Sequence, residues 1–181
     1  MLDKIHAVSS RSARTGCGHV TFRLVIEDAP PASACFTDHG RPAFVVNVEV
    51  LLHRDGRWLL IERGAQESHA PGVFAGVGGK VEPGNAGPDV LEQTARREVA
   101  EEIGVDLTGI GLRYVESALF VTDDGDQVIN VVLSASMPAD AHPVAVSPDE
   151  VAGFAWLTLP EVETNPSCPP WTVRSIRAAA A

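Results

Sequence analysis

From Asp89 to Ile103 the chain runs without a glycine or proline, and Gly104 follows where a helix stop is expected. The segment is predicted to be a helix, and the placement of its carboxylates constrains the rest of the reading. With Glu98 set at zero and about 100° added per residue, Glu102 falls at about +40° and Glu101 at about −60°. On the same wheel Leu91 lies at about +20°, Ala95 at about +60°, Val99 at about +100° and Ile103 at about +140°. Glu98 and Glu102 therefore sit inside or beside the apolar stripe, whereas a solvated acidic face would lie opposite it. Like charges at i,i+4 cost roughly 0.2–0.5 kcal/mol even when exposed, and burial adds to that cost. A hard cation would relieve it, because carboxylate oxygens suit Mg²⁺ or Mn²⁺, ions that keep several waters and bridge to phosphate.

Around this helix the pattern alternates between strands and turns. Phe44 to Leu52 is Val-rich and reads as a strand, Arg54-Asp55-Gly56 as a turn, and Trp58 to Ile61 as the returning strand of a hairpin. Residues 64–72 form a polar loop. The glycine-rich run GVGGKVEPGNAG, Gly76 to Gly87, then reads as a loop. Gly76, Gly78 and Gly79 permit close backbone approach, and backbone carbonyls there could add metal ligands. Taken alone, such a run reads equally well as a plain turn. Leu112 to Val121 and Gln127 to Ser136 are strands joined by TDDGD, Val151 to Leu157 is a short apolar strand, and Trp171 to Ala180 is a helix started by Pro169-Pro170. This order predicts an α/β sandwich, a mixed sheet with helices on its faces. Upstream, His19 to Glu27 (HVTFRLVIE) alternates as a strand and Asp28 to Ala34 reads as a linker. The expected division is an N-terminal extension, residues 1–40, and a main domain, 41–181.

At 181 residues the chain suffices for one well-cored domain. No apolar run approaches the length of a membrane helix, and the first residues lack the apolar centre of a signal peptide. A cytoplasmic protein with no membrane partner is expected. Cys17, Cys35 and Cys168 form neither a zinc pattern nor a disulfide framework. The net charge of −10 argues against a nucleic-acid partner, though an acidic protein can still bind phosphates when a divalent cation neutralises the contact.

The second half of the acidic helix, Arg97-Glu98-Val99-Ala100-Glu101-Glu102-Ile103-Gly104-Val105, resembles the Nudix box, G-x5-E-x7-R-E-U-x-E-E-x-G-U with U aliphatic. Gly79 looks like the opening glycine, within Gly78-Gly79-Lys80-Val81-Glu82-Pro83-Gly84, and LLIERG…PGVFAGVGG looks like the family's usual approach to the box. There are departures. Four residues are inserted between the glycine loop and the helix. The box's first Glu becomes Asn85 counted from Gly79, or Asp89 counted back from Arg97, and Val77 stands where many members have Pro. The inserted Asn85 to Pro88 are expected to form an exposed loop. Asp89 is expected to cap the helix, with Glu92 reaching back in a D-x-x-E capping box.

The resemblance implies a Nudix-type α/β/α sandwich and a metal-dependent pyrophosphohydrolase using Mg²⁺ or Mn²⁺. Its substrate would be a small nucleotide or other nucleoside-diphosphate-linked molecule. Glu98 and Glu102 would be the main metal ligands, with Glu101 close by through water and the Gly78 carbonyl as a further ligand. Arg97 would orient the glutamates. The catalytic set is then Glu98, Arg97, Glu101 and Glu102, with Gly79, Arg63 and Phe74 as substrate contacts. The general base varies across the family: a helix glutamate, for which Glu98 is favoured, or a later acidic residue, for which Glu150 is the candidate, although by itself Glu150 reads as a solvated loop residue. Members acting on ADP-ribose tend to carry a proline soon after the box, and none occurs here between Val105 and Met137. The NADH-associated motif SQPWPFPxS and the cysteine-bearing motif of isopentenyl-diphosphate isomerase are likewise missing, which favours a nucleoside triphosphate or similar small substrate. Phe74, Trp156 and Trp171 could stack on a base, with core packing as the alternative. The alternative function is a non-catalytic Nudix-like nucleotide-binding or sensing domain, although such domains usually lose box glutamates. A homodimer would give HVTFRLVIE the sheet edge it needs.

Overall fold

The computed structural model describes residues 37–38, 41–67, 70–82, 87–122 and 125–181. The expected strand at 19–27, Cys17, Cys35 and inserted residues 85–86 lie outside them. In chain order the elements are β1 (Thr37–Asp38), β2 (Arg41–Pro42), β3 (Val45–Arg54), β4 (Arg57–Arg63), β5 (Phe74–Ala75), β6 (Val77–Lys80), α1 (Val90–Ile103), β7 (Arg113–Val121), β8 (Gln127–Ser136), β9 (Val151–Leu157), α2 (Leu159–Thr164) and α3 (Pro170–Ala180).

The centre of the sheet is β3. Its two turn residues toward β4, Asp55 and Gly56, both take positive φ (52° and 73°), the conformation that matches strand twist in a two-residue hairpin. On one side β3 runs parallel to β8 over its length. On the other it is shared: Leu52 to Arg54 pair with β4, and Asn47 to Val50 pair antiparallel with β6. β4 continues outward to β5 and β9, and β7 flanks β8. The sheet is therefore mixed, as the sequence predicts.

Alternation along β3 divides the core into two layers. Val48, Val50 and Leu52 join Ala95, Val99 and Ile103 of α1 on one face. Leu51, with Trp58, Leu60 and Val132, meets Val162 of α2 and Ile176 of α3 on the other. The helix wheel is realised: Ala95, Val99, Ile103 and Glu102 are all buried.

Two expectations are corrected and one element is added. Part of the glycine run is a strand, β6, where the sequence suggested a loop. Glycine weakens a strand in isolation, but these glycines let β6 lie tight against β3, and a Cβ on Gly78 would stand 2.1 Å from the Val48 carbonyl oxygen. The short α2 was not anticipated. Its signal was Thr158-x-x-Glu161, which forms a capping box with a proline in the first turn. Asp89 does occupy the N-cap of α1, but in the left-handed conformation (φ 57°) and with no side-chain cap hydrogen bond, so the expected box with Glu92 does not form. The first turn closes through Gln93, whose backbone N–H donates to the Asp89 carbonyl (2.8 Å) and whose side-chain amide donates to that of Pro88 (3.0 Å).

Candidate active site

The site lies where α1 crosses β6. The angular spacing of the glutamates fixes their different surroundings. Glu102, one turn beyond Glu98, points under the helix and is 5% exposed. Its Oε1 accepts the Gly78 backbone N–H at 3.2 Å. Burial, followed by the charges of Glu98 and Glu150, pushes its carboxyl up to about 8, against the opposing pull of the Gly78 N–H and Arg63. Glu98 is half-buried and lies directly over Gly79, where a Cβ would come within 2.1 Å of its Oε1. Burial raises the Glu98 pKa and Arg97 opposes the rise, while Glu101 and Glu150 add to it. Glu101 is exposed.

Arg97 ties these parts together. It donates to Glu98 Oε1 at 2.6 Å, to Glu101 Oε2 at 2.7 Å and to the Lys80 carbonyl at 3.1 Å, and it lies 3.8 Å from Glu82. These charge-assisted bonds hold two carboxylates and the end of β6 in one arrangement.

Glu150 reaches the site through a long connection. After β8, Arg54 holds the chain by donating to the carbonyls of Pro138, Ala139 and Ala141, with its guanidinium 5.0 Å from the Trp156 ring centroid. The chain then caps the end of α1. Val144 N–H donates to the Ile103 carbonyl (3.0 Å), Val146 N–H to that of Glu102 (2.9 Å), and Ser147 Oγ to that of Glu101 (3.4 Å). These carbonyls would otherwise end the helix without partners. Gly64 N–H then grips the Glu150 carbonyl at 2.7 Å, and a Cβ on Gly64 would stand 1.8 Å from the Asp149 carbonyl oxygen. Glu150 itself is exposed, and its charge acts on both Glu98 and Glu102.

The fold thus brings Glu98, Glu102, Arg97, Gly78, Gly79 and Glu150 together. Arg63, at the end of β4 and ion-paired with Glu67, is close enough to act on Glu102. Phe74 is not brought to the carboxylates. It packs against the core on the α3 face, and its carbonyl accepts from Thr172 Oγ1 at 3.0 Å. Trp156 packs beside the α1-side core under Arg54, and Trp171 is 44% exposed. Cys168 is a buried free thiol whose pKa burial raises. Glu49 went unnoticed in the sequence. Its only signal there is a charged residue in a Val-rich run, yet it is buried behind the glycine strand and accepts the Gly76 N–H at 3.0 Å.

Among the described residues, no group of three or more His, Cys, Asp or Glu side chains stands in metal-ligand geometry. The donor set nevertheless suits a hard divalent cation. Glu102 is a buried carboxylate beside two like charges, held among the described residues by one backbone N–H, and Glu98 adjoins it with all-oxygen donors.

The family model of the NUDIX domain matches residues 43–177. The chain belongs to the Nudix family. Solved structures share the fold of this Nudix domain. A MutT Nudix hydrolase from Burkholderia pseudomallei is 22% identical, with a TM-score of 0.62, covering 75% of this chain and 98% of its own. The E. coli dihydroneopterin triphosphate pyrophosphohydrolase is 18% identical, with a TM-score of 0.58 and coverages of 75% and 96%. The Nudix domain of Shewanella oneidensis NrtR, complexed with ADP ribose, is 18% identical, with a TM-score of 0.60 and coverages of 82% and 96%. No curated protein matches the chain. As a Nudix-type pyrophosphohydrolase it falls among enzymes that act on nucleoside diphosphate derivatives and generally use divalent metal ions. No helix among the described residues is long and apolar enough to cross a membrane.

Proposed function

We propose that this Nudix hydrolase cleaves a phosphoanhydride bond in a small nucleoside-diphosphate-linked substrate, with Mg²⁺ or Mn²⁺ held by Glu98 and Glu102. Glu101 would contribute through water, and the Gly78 carbonyl would be a further ligand. The observation that carries this reading is Glu102. A carboxyl buried to 5% exposure beside Glu98 and Glu150 holds its proton to about pH 8, and a bound cation is what would let it ionise at neutral pH. When bound, the metal neutralises the phosphates and acidifies water. The residues do the rest. Arg97 keeps Glu98 and Glu101 oriented, Gly79 leaves room for the Glu98 carboxylate, and Arg63 supplies positive charge at the rim. For the general base we favour Glu150 over Glu98. Glu98 is committed to Arg97 at 2.6 Å, whereas Glu150 is exposed and lies within the same field. We place the hydrolase domain at 41–181 and treat 1–40 as an extension.

The test is steady-state turnover across a panel of nucleoside diphosphate derivatives and nucleoside triphosphates, after EDTA dialysis and after Mg²⁺ or Mn²⁺ add-back. Turnover is expected only after add-back. Glu98→Gln is expected to lower kcat by about 10²-fold or more in a folded protein. Glu150→Gln should lower kcat with little change in metal affinity. Full turnover in the metal-free sample would sink the mechanism, and a Glu150→Gln enzyme with normal kcat would return the base role to Glu98.

A further inference from the structure

Beneath the glycine strand, on the sheet face away from α1, runs a row of polar side chains that the proposed chemistry does not use. Glu49 is 9% exposed on the central strand, on the same face as Leu51 and opposite to Val48 and Val50. Both of its carboxylate oxygens are engaged. Oε1 accepts the Gly76 N–H at 3.0 Å, and Oε2 accepts Asn130 Nδ2 at 3.0 Å. Asn130 Oδ1 in turn accepts Asn47 Nδ2 at 2.8 Å. The row therefore fixes the orientation of each member, from β8 through β3 to Gly76, the residue before β6. Burying a carboxylate is costly, and a backbone N–H alone could be paired by any acceptor. A charge-assisted bond braced from behind by two amides holds the strand more tightly than that requirement demands.

The consequence lies two residues further on. Gly78 pairs with Glu49 across the β3–β6 ladder, and its N–H meets Glu102. Contacts from opposite faces confine this short strand. Glu98 presses on Gly79 from the α1 side, and Glu49 presses on Gly76 from the other, where a Cβ would come within 2.8 Å of Glu49 Cγ. We infer that Glu49, braced by Asn130 and Asn47, is a positioning residue for the metal site. It sets where the backbone of Gly76 to Gly79 stands, and hence where Gly78 offers its peptide groups. The inference rests on the metal site proposed above. It adds to that site a carboxylate on the sheet face away from α1, engaged by Gly76 and Asn130.

The experiment measures Mn²⁺ affinity directly, from the electron paramagnetic resonance of free Mn²⁺, on the full chain without substrate, together with melting temperature. Glu49→Met keeps the length of the side chain and removes both acceptors, and its affinity is expected to fall by about tenfold, as for other outer-shell partners of metal ligands. Glu49→Gln should stay close to wild type, because the amides of Asn130 and Asn47 can turn over and restore the whole row. Should Glu49→Met not fold, Asn130→Ala carries the test. It leaves the Gly76 bond in place and frees the carboxylate behind it, and a severalfold loss of Mn²⁺ affinity is expected. Lowered melting with wild-type Mn²⁺ affinity in Glu49→Met or Asn130→Ala would show a purely structural role and overturn the inference. Glu98→Gln and Glu102→Gln, run beside them, distinguish the other failure. If these two bind Mn²⁺ like wild type, the metal site itself is misassigned, and the inference falls with it.

Discussion

Replacing Gly79 with alanine should separate activity from stability. Gly79 is not among the residues with positive φ, so alanine can adopt its backbone conformation. The added Cβ would stand 2.1 Å from Oε1, 2.3 Å from Cδ and 2.6 Å from Oε2 of Glu98. Ordinary contact begins well beyond those distances, so the carboxylate must retreat by roughly 1 Å or more. Because the obstructed group is the end of a flexible side chain, the fold can absorb the change. Alanine also restricts the unfolded chain, a gain of about 0.4–1 kcal/mol where the conformation is compatible. The melting temperature should therefore move by only a few degrees, at about 2–4 °C per kcal/mol for a domain of this size. Displacing a proposed metal ligand by that distance is a different matter, and kcat/KM should fall by about 10²-fold. The assay is kcat/KM at saturating Mg²⁺, with melting temperature on the same sample, for Gly79→Ala, Glu98→Gln and the double variant. If alanine acts by moving Glu98, the double variant should be no worse than Glu98→Gln alone. Full activity in Gly79→Ala, or losses that simply add in the double variant, would refute the reasoning.

Glu102 should make the metal-free protein less stable as pH rises. Its folded pKa of about 8 exceeds the ordinary 4.5, so between those values the folded state binds the extra proton. Its contribution is then fully present below the lower value and lost as pH climbs through the upper one. In EDTA, urea midpoints of wild type should decline from about pH 5 to about pH 8 relative to Glu102→Gln, and a flat or rising difference would contradict the burial argument. Asp89→Gly should raise the melting temperature and leave kcat untouched, since glycine relieves a left-handed N-cap at φ 57° that makes no side-chain bond. A loss of activity comparable to Glu98→Gln would instead place Asp89 in the site.

Some features of this protein are local and could be read from the order of residues. The 3.6-residue period put Glu102 beside Val99 and Ile103, and the buried glutamate follows from that spacing alone. Asp55-Gly56 dictated the hairpin, because few other pairs accept positive φ at both positions. The strand Val151–Leu157 was likewise legible from its apolar run. Other features depend on partners distant in the chain. Gly78 and Gly79 carry the propensity of a loop, and only pairing with β3 makes them a strand. Asp89 had the spacing of a capping box, but its backbone is left-handed and its side chain makes no cap bond. Glu150 had nothing to distinguish it from a solvated loop residue until the end of α1 captured Val144, Val146 and Ser147. Glu49 looked like an interruption in a valine run, and its partners Gly76 and Asn130 lie 27 and 81 residues away. Periodicity records which side of an element a residue occupies, because that depends on its own backbone. What it meets there depends on register between strands, and register is settled only when the whole sheet closes on its core.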